Sequence, residues 1–430
     1  MPTYLLCATP VHGHVTPLLG IGRALAQRGH RVVLLTGSRF AAQAADAGLE
    51  FRSLQGIADF DDRDVETYLP DRNRYRGIAR AQYDIQNIFV RTIPDQFAAL
   101  RATLGEVTPD AILVDGAFAG VTPLLFRDAP RPPILGVGVT PLSQSSADVA
   151  PFGMGLGPLP GGIGRIRNRL LGFLANKVIF RDTHQLAKRI LAELGVTSIP
   201  GSIMDVSRSF DRFLQLTPAE LEYPRQDLGS ATRFVGPVPP TPGQTPEPEW
   251  WTDLDGTRPI VHVTQGTIDN SDLSRLIVPT ITALGSDRSD APLVIVTLGG
   301  RGSSADAELG ALPANVRVAE YLPYDKLLPL CDVVVTNGGF GGVLQALRAG
   351  VPLVVAGDTE DKPEVAARVA WAGVGVDLKT GRPTASAVAR AVADVLGQES
   401  FRQRTAQMAK AIARLDTLDL IEGELLALAP

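Results

Sequence analysis

Short apolar runs, broken by glycine, proline and polar residues, alternate along the chain with stretches that carry apolar residues at helical spacing. Residues 4–9 read as a strand, 10–16 as a turn, 17–28 as a helix and 31–36 as the next strand, which together make one βαβ unit. Leu18, Ile21 and Leu25 share a helix face, Pro17 suits a first turn and Gly29 suits the helix end. Residues 111–114, closed by Asp115, and 134–139 add two strands. The alternation restarts with strands at 260–264, 293–298, 316–319, 333–336 and 353–356. This pattern predicts an α/β chain with two parallel sheets, each covered by helices on both faces.

A change in composition separates the halves. GPVPPTPGQTPEPEW, beginning at Gly236, is too rich in proline for a helix or a central strand and reads as a linker over 236–250. It divides a first domain over 1–235 from a second over 251–400, and residues 401–430 read as a helical run able to cross back to the first domain. Residues 57–76 and 142–165 fit no element and are expected to be long loops, either lining a site or extending from the surface.

Composition narrows the function classes. The chain has 430 residues, 45% hydrophobic and 20% charged, with a net charge of −5, so its overall charge makes no electrostatic case for nucleic acid or an anionic membrane. No segment approaches the roughly 20 apolar residues of a membrane span, and the first residues lack a basic leader, so stable membrane insertion is not expected and a cytoplasmic protein is. Cys7 and Cys331 lie in or beside apolar runs without metal-ligand spacing and read as buried free thiols.

The densest chemical signal is TNGGFGGVLQALRAG. A buried strand breaks into Asn337, Gly338, Gly339, Phe340, Gly341 and Gly342, and a short helix then runs to Gly350. Glycines admit a ligand close to the backbone, and a helix start carries about half a positive charge with unpaired N–H donors, which suits a diphosphate. Tight packing alone is the competing reading. The dinucleotide pattern G-x-G-x-x-G fails because Leu344 takes its last glycine position, which weakens a dehydrogenase reading. The turn TQGT, with Gly266 and Thr267, closes the first strand of the second half and offers further donors, while Tyr321 offers an aromatic face to a base.

His12, Gly13 and His14 follow the first strand, at the carboxyl edge where open parallel sheets bind ligands. A catalytic histidine, a structural one and a metal ligand compete here, and no acid or thiol lies nearby in sequence to support the metal. Asp115 ends another strand of the same sheet and, beside His14, would fix its tautomer. The acidic runs 61–64 and 253–255 hold D-x-D spacing but read as solvated carboxylates, so no metal is expected. His30 and His184 read as surface or helix-end residues, and His262 as core.

Taken together, GHVTPLL near the start and the glycine signature resemble the inverting glycosyltransferases of family 1, small-molecule enzymes of the bacterial macrolide and natural-product type. The resemblance covers nearly the whole chain and implies the GT-B architecture, two Rossmann-like domains facing across a cleft. It implies a hexose moved from a UDP- or dTDP-sugar to a hydroxyl of an apolar acceptor, with no metal or other cofactor. The histidine before x-x-Pro-Leu is the family's base, which transfers to His14, with Asp115 as the paired acid. The donor signature of its plant members transfers with replacements: Asn337 for histidine, Gly341 and Gly342 for Asn-Ser, Gln345 for glutamate, Tyr321 for the base-stacking tryptophan. Asp361 and Lys362 stand for the acid-glutamine pair that reads sugar hydroxyls, and lysine donates without accepting. Phe60, Tyr68, Phe118, Phe152 and Met154 are the expected acceptor contacts, and the protein is expected as a monomer or weak homodimer. A sugar-nucleotide epimerase or hydrolase on the same scaffold, or a non-catalytic nucleotide-sugar binder, are the alternatives.

Overall fold

The computed structural model describes residues 1–127, 129–199, 202–240, 245–267, 270–300 and 309–428. A seven-stranded sheet holds β1 (Thr3–Cys7), β2 (Arg31–Thr36), β3 (Glu50–Ser53), β4 (Ala111–Asp115), β5 (Ile134–Gly138), β6 (Arg212–Gln215) and β7 (Thr232–Phe234). A six-stranded sheet holds β8 (Ile260–Thr264), β9 (Leu293–Thr297), β10 (Val316–Ala319), β11 (Val333–Thr336), β12 (Leu353–Val355) and β13 (Gly375–Asp377). Their orders are β3-β2-β1-β4-β5-β6-β7 and β10-β9-β8-β11-β12-β13, and every recorded pairing is parallel. The second sheet thus repeats the first six positions of the first. In each, the winding reverses beside the opening strand, between β1 and β4 and between β8 and β11, which creates a crevice at the carboxyl ends of those strands.

Both faces of both sheets are covered, which is why the central strands are apolar without alternation. Tyr4 and Leu6 of β1 enter one core cluster while Leu5 and Cys7 enter another on the opposite face. Val261 and Val263 of β8 likewise part from Ile260. The strands missing from the sequence reading are β3, β6, β7 and β13, short segments toward the sheet margins with polar residues such as Arg52, Arg212 and Arg233. Cys7 and Cys331 are both free and buried, and burial pushes both thiols up from their ordinary value.

Two helices begin earlier than expected. Helix α1 (His12–Gln27) starts five residues before Pro17, so the anticipated turn over 10–16 is mostly helix. Val11 is extended and the His12 N–H donates to Asp62 Oδ2 at 2.6 Å, so a distant carboxylate starts this helix. Pro17 falls in the second turn, where its missing N–H leaves only the Gly13 carbonyl without a helical partner. Similarly, the helix after β11 begins at Phe340, placing Gly341 and Gly342 inside its first turn and leaving Asn337–Gly339 as the turn proper. Gly338 has φ +88°, and a side chain there would strike Val355.

Of the two anomalous segments, the first folds into helical turns at Gly56–Ala58, Val65–Tyr68 and Arg72–Arg74, followed by helix α2 (Gly77–Asp84). The second stays irregular until helix α3 (Gly161–Leu174). Residues 241–244 of the linker lie outside the described residues; before them, the Pro237 carbonyl accepts from Arg348 Nη2 at 2.8 Å and Thr417 Oγ1 at 3.1 Å. Writing the helix at Phe340–Arg348 as α4, the two halves also meet through helix α5 (Lys362–Ala372). Its buried Arg368 pairs with Glu222 at 2.6 Å and with Glu364 at 2.7 Å, and lies over the Tyr223 ring. Glu364 in turn accepts the N–H groups of Gly153 (3.0 Å) and Gly155 (2.8 Å).

The C-terminal run is two helices, not one. Helix α6 (Glu399–Ala413) sets Met408 and Ile412 into the second half's core. Helix α7 (Thr417–Leu428) sets Ile421 and Leu425 into the core beneath β1. No helix among the described residues is long and apolar enough to cross a membrane.

Candidate active site

A cavity of about 2080 Å³ lies between the sheets, and both reversal points open into it. On the first sheet, α1 presents His14 from its first turn, while β4 ends on Asp115, a fully buried residue. His14 Nδ1 is 2.9 Å from both Asp115 oxygens. The carboxylate also accepts from the Thr9 N–H at 3.3 Å and the Ala117 N–H at 3.1 Å, which holds it still. A carboxylate accepts only, so Nδ1 carries the proton and Nε2 keeps its lone pair for the cavity. Burial opposes charge on the imidazole, yet Asp115, by its charge and its hydrogen bond, outweighs burial and raises the pKa of His14 above 6.5. Asp361 and Asp62 add smaller upward pulls.

His12 lines the same cavity but differs in kind. Burial lowers its pKa, and its nearest side-chain partner is Thr16 Oγ1 at 3.5 Å. Asp62, expected to be solvated, is buried with Arg39 as its ion-pair partner while it caps α1, the helix that carries His14. His262 is core as anticipated. Its Nδ1 donates to the Ile295 carbonyl at 3.1 Å, its Nε2 accepts from Tyr324, and burial lowers its pKa to about 4. His30 and His184 are partly buried and hydrogen-bonded, His30 to Glu422 and His184 to Ser202.

The second sheet builds its edge from backbone. At β8, Gly266 has φ +72° and donates its N–H to Thr264 Oγ1 at 3.2 Å; at β11, Gly338 donates to Thr336 Oγ1, also at 3.2 Å. Thr264 and Thr336 are register partners, so TQG and TNG are the same turn made twice, side by side. The Asn337 side chain ties them, donating Nδ2 to the Gln265 carbonyl while Oδ1 accepts from Gly339. Gln265 caps the neighbouring helix, its Oε1 accepting from Leu276 and Ile277. Thr267, Gly339, Gly341, Gly342 and Gln345 then border the cavity, with Gly341 and Gly342 exposed. A side chain on either glycine would meet nothing within 4 Å, so the protein itself does not demand glycine there. Open space in front of a helix start is what an anionic ligand requires.

Tyr321 lies at the rim, 52% exposed, with its hydroxyl packed where a side chain on Gly300 would stand. Asp361 opens α5 close enough to His14 for each to feel the other's charge. Burial raises its pKa to about 6, and Lys362 opposes this. Lys362 is buried at the cavity wall, its Nζ donating to Thr359 Oγ1 at 3.1 Å and to Glu360. Glu360 itself is held at φ +56° and reaches Arg72 of the first half at 3.7 Å.

Among the expected acceptor contacts, Tyr68, Phe152 and Met154 border the cavity, and so does Gly13, an expected donor contact. Phe60 and Phe118 do not. Phe118 is 1% exposed within the core under β4, and Phe60 stacks behind Tyr68 at 4.4 Å between centroids. Alternation of strand and loop could not separate an aromatic at a cavity from one beneath it. The apolar wall instead includes Ile85, Ile88 and Phe89, with Phe89 at 6.2 Å from the His14 ring, and Ile179 and Phe180. The spacing of Ile85, Ile88 and Phe89 was a usable signal. Among the described residues, no group of three or more His, Cys, Asp or Glu is placed to hold a metal ion.

Residues 288–421 match the family model for the C-terminal domain of erythromycin biosynthesis protein CIII-like proteins. The chain is 38% identical to 4'-demethylrebeccamycin synthase of Lentzea aerocolonigenes over 97% of this chain and 98% of the relative. It is 33% identical to UDP-glucosyltransferase A1 of Starmerella bombicola, over 98% and 91%. Its fold matches the glycotransferase of kitacinnamycin with a TM-score of 0.74 over 99% of both chains, at 23% identity. The chain belongs to the family 1 glycosyltransferases of the GT-B fold and is an enzyme of the nucleotide-sugar type.

Proposed function

We propose that the chain is an inverting transferase that moves a hexose from a UDP- or dTDP-sugar to a hydroxyl of an apolar natural product, with His14 as general base. The observation that carries this reading is His14, paired with the buried Asp115, facing the paired glycine turns across one cavity. His14 Nε2 takes the proton of the acceptor hydroxyl, the oxygen forms its bond to the anomeric carbon, and the carbon–oxygen bond to the diphosphate breaks with its electron pair on the leaving group. Attack opposite the leaving group inverts the centre. Charge developing on the diphosphate is met by the N–H groups opening α4 and by Thr267, donors already in place. Their supply is the reason for proposing that no metal is needed.

Asp361, beside His14, would accept from sugar hydroxyls, whereas Lys362 is engaged with Glu360 and acts through that contact. An apolar acceptor fits the wall of Ile85, Ile88 and Phe89, and a natural-product acceptor accords with the rebeccamycin relative. A cytoplasmic site, where nucleotide sugars are made, is part of the same proposal.

The test is His14→Ala with donor binding followed by thermal shift, using UDP and dTDP separately. Loss of transfer with retained stabilisation by the diphosphate is expected. Transfer at the wild-type rate would remove the base assignment. Product analysis with and without a phenolic acceptor separates transfer from hydrolysis or epimerisation.

A further inference from the structure

Helix α3 is inside out. The residues it buries are Gly164 and Asn168, and Gly164 is required because a side chain there would lie 2.1 Å from the Leu159 carbonyl. Its large apolar residues face outward instead: Ile163 is 78% exposed, Ile166 64%, Leu170 65% and Phe173 65%. At 3.6 residues per turn these four fall within about 80° of arc, and Val178, 59% exposed, follows them just beyond the helix. Four large apolar side chains on one exposed stripe are not a scattered surface.

Charge identifies what covers the stripe. Residues 156–181 contain Arg165, Arg167, Arg169, Lys177 and Arg181 and no carboxylate, in a chain whose net charge is −5. Arg167 and Arg169 lie about 80° to either side of the stripe's centre. Arg165 is paired with Asp148 and Arg167 bonds the Gly157 carbonyl, whereas Arg169, Lys177 and Arg181 make no ion pair among the described residues. A symmetric contact with a second copy would set these cations against themselves. An apolar stripe bordered by cations is the pattern of a helix lying in the plane of an anionic lipid surface.

We infer that α3 docks the enzyme reversibly on anionic membrane, with Ile163, Ile166, Leu170 and Phe173 entering the headgroup boundary. The following segment, including Ile179 and Phe180, borders the active-site cavity, so docking sets the acceptor end of the cavity beside the lipid. The stripe itself lies outside the cavity lining, and vesicle binding is read without turnover, so this inference and the transferase reading fail separately.

The experiment is sedimentation of the full chain with phosphatidylcholine vesicles, with and without phosphatidylglycerol. Binding is expected only with phosphatidylglycerol and is expected to weaken as salt rises. Ile166→Ser with Leu170→Ser should lower partitioning about tenfold or more, and Arg169→Glu with Lys177→Glu by a similar factor. Both pairs should keep the wild-type melting temperature and activity on a soluble acceptor. Absence of binding to either vesicle, or equal binding by the variants, would overturn the inference. So would concentration-dependent self-association, or capture of an acidic protein, that the Ser pair abolishes without any vesicle binding.

Discussion

The two sheets share one winding, yet the crevices at their reversal points are equipped in opposite ways. Between β1 and β4 the equipment is side chains, a histidine and a carboxylate 2.9 Å apart, with the acid buried. Between β8 and β11 it is backbone, two turns with positive-φ glycines and a helix start. A proton must be taken by one atom of tuned basicity, whereas a diphosphate's spread charge is met by many modest donors. Side chains can be tuned and backbone can be multiplied.

The largest expected effect lies on the side-chain half. His14→Ala and Asp115→Asn should each lower transfer about 10²–10⁴-fold, measured as kcat/KM with a fixed donor. The base must be neutral to act, and Asp115 raises its pKa, so the acid limb of the kcat/KM profile should lie above pH 6.5. In Asp115→Asn burial remains without the carboxylate, so the residual activity should show that limb displaced downward. An unmoved limb would detach the pair from the chemistry.

On the backbone half the effect should be on binding. Gly342→Val, with open space around it, should raise donor KM about tenfold or more while kcat at saturation changes less. Stability separates the glycines further. Gly341→Ala should stabilise by about 1 kcal/mol as an exposed helical position, whereas Gly338→Ala, at φ +88° and against Val355, should destabilise by at least about 1 kcal/mol. Equal melting temperatures for the two would contradict the assignment of one to ligand access and the other to the turn.

The smallest effect concerns Asp361. Its pKa is raised from 3.8 to about 6, so the stability associated with its neutral form is fully present below pH 3.8 and lost as pH rises through about 6. At pH 7 the charged carboxylate is therefore a burden, and Asp361→Asn should raise the melting temperature by about 2–4 °C while lowering transfer. A melting temperature that falls would show that the acid serves the fold.

Much of the fold was legible because buried parallel strands are apolar runs between turn residues, as at 31–36 and 333–336. Margin strands such as TRF and GVD lack that signature, and strand order is a property of distant pairing that periodicity does not encode. Asp115 was legible as a strand-end residue and His14 as one following the first strand, but their contact joins positions 101 apart in the chain. Phe118 was misplaced because hydrophobicity marks what leaves water and does not say whether a ligand or the core receives it. Asp62 was misread because an acidic run resembles a solvated one until Arg39 and the α1 N-terminus are brought to it.

Glu364, rooted in the donor-side helix, holds the loop at Gly153 and Gly155, while its neighbour Arg368 holds Glu222. The acceptor side is therefore not an interchangeable module. A chimera recombined at residue 236, where the chain composition invites a crossover, would inherit Glu222 from one parent and Arg368 from the other. Unless both parents carry this pairing, the hybrid breaks a buried contact between its halves, leaving Arg368 with Glu364 alone and Glu222 with Arg225 alone. Altering acceptor range by exchanging halves thus requires α5 to travel with the loop it secures.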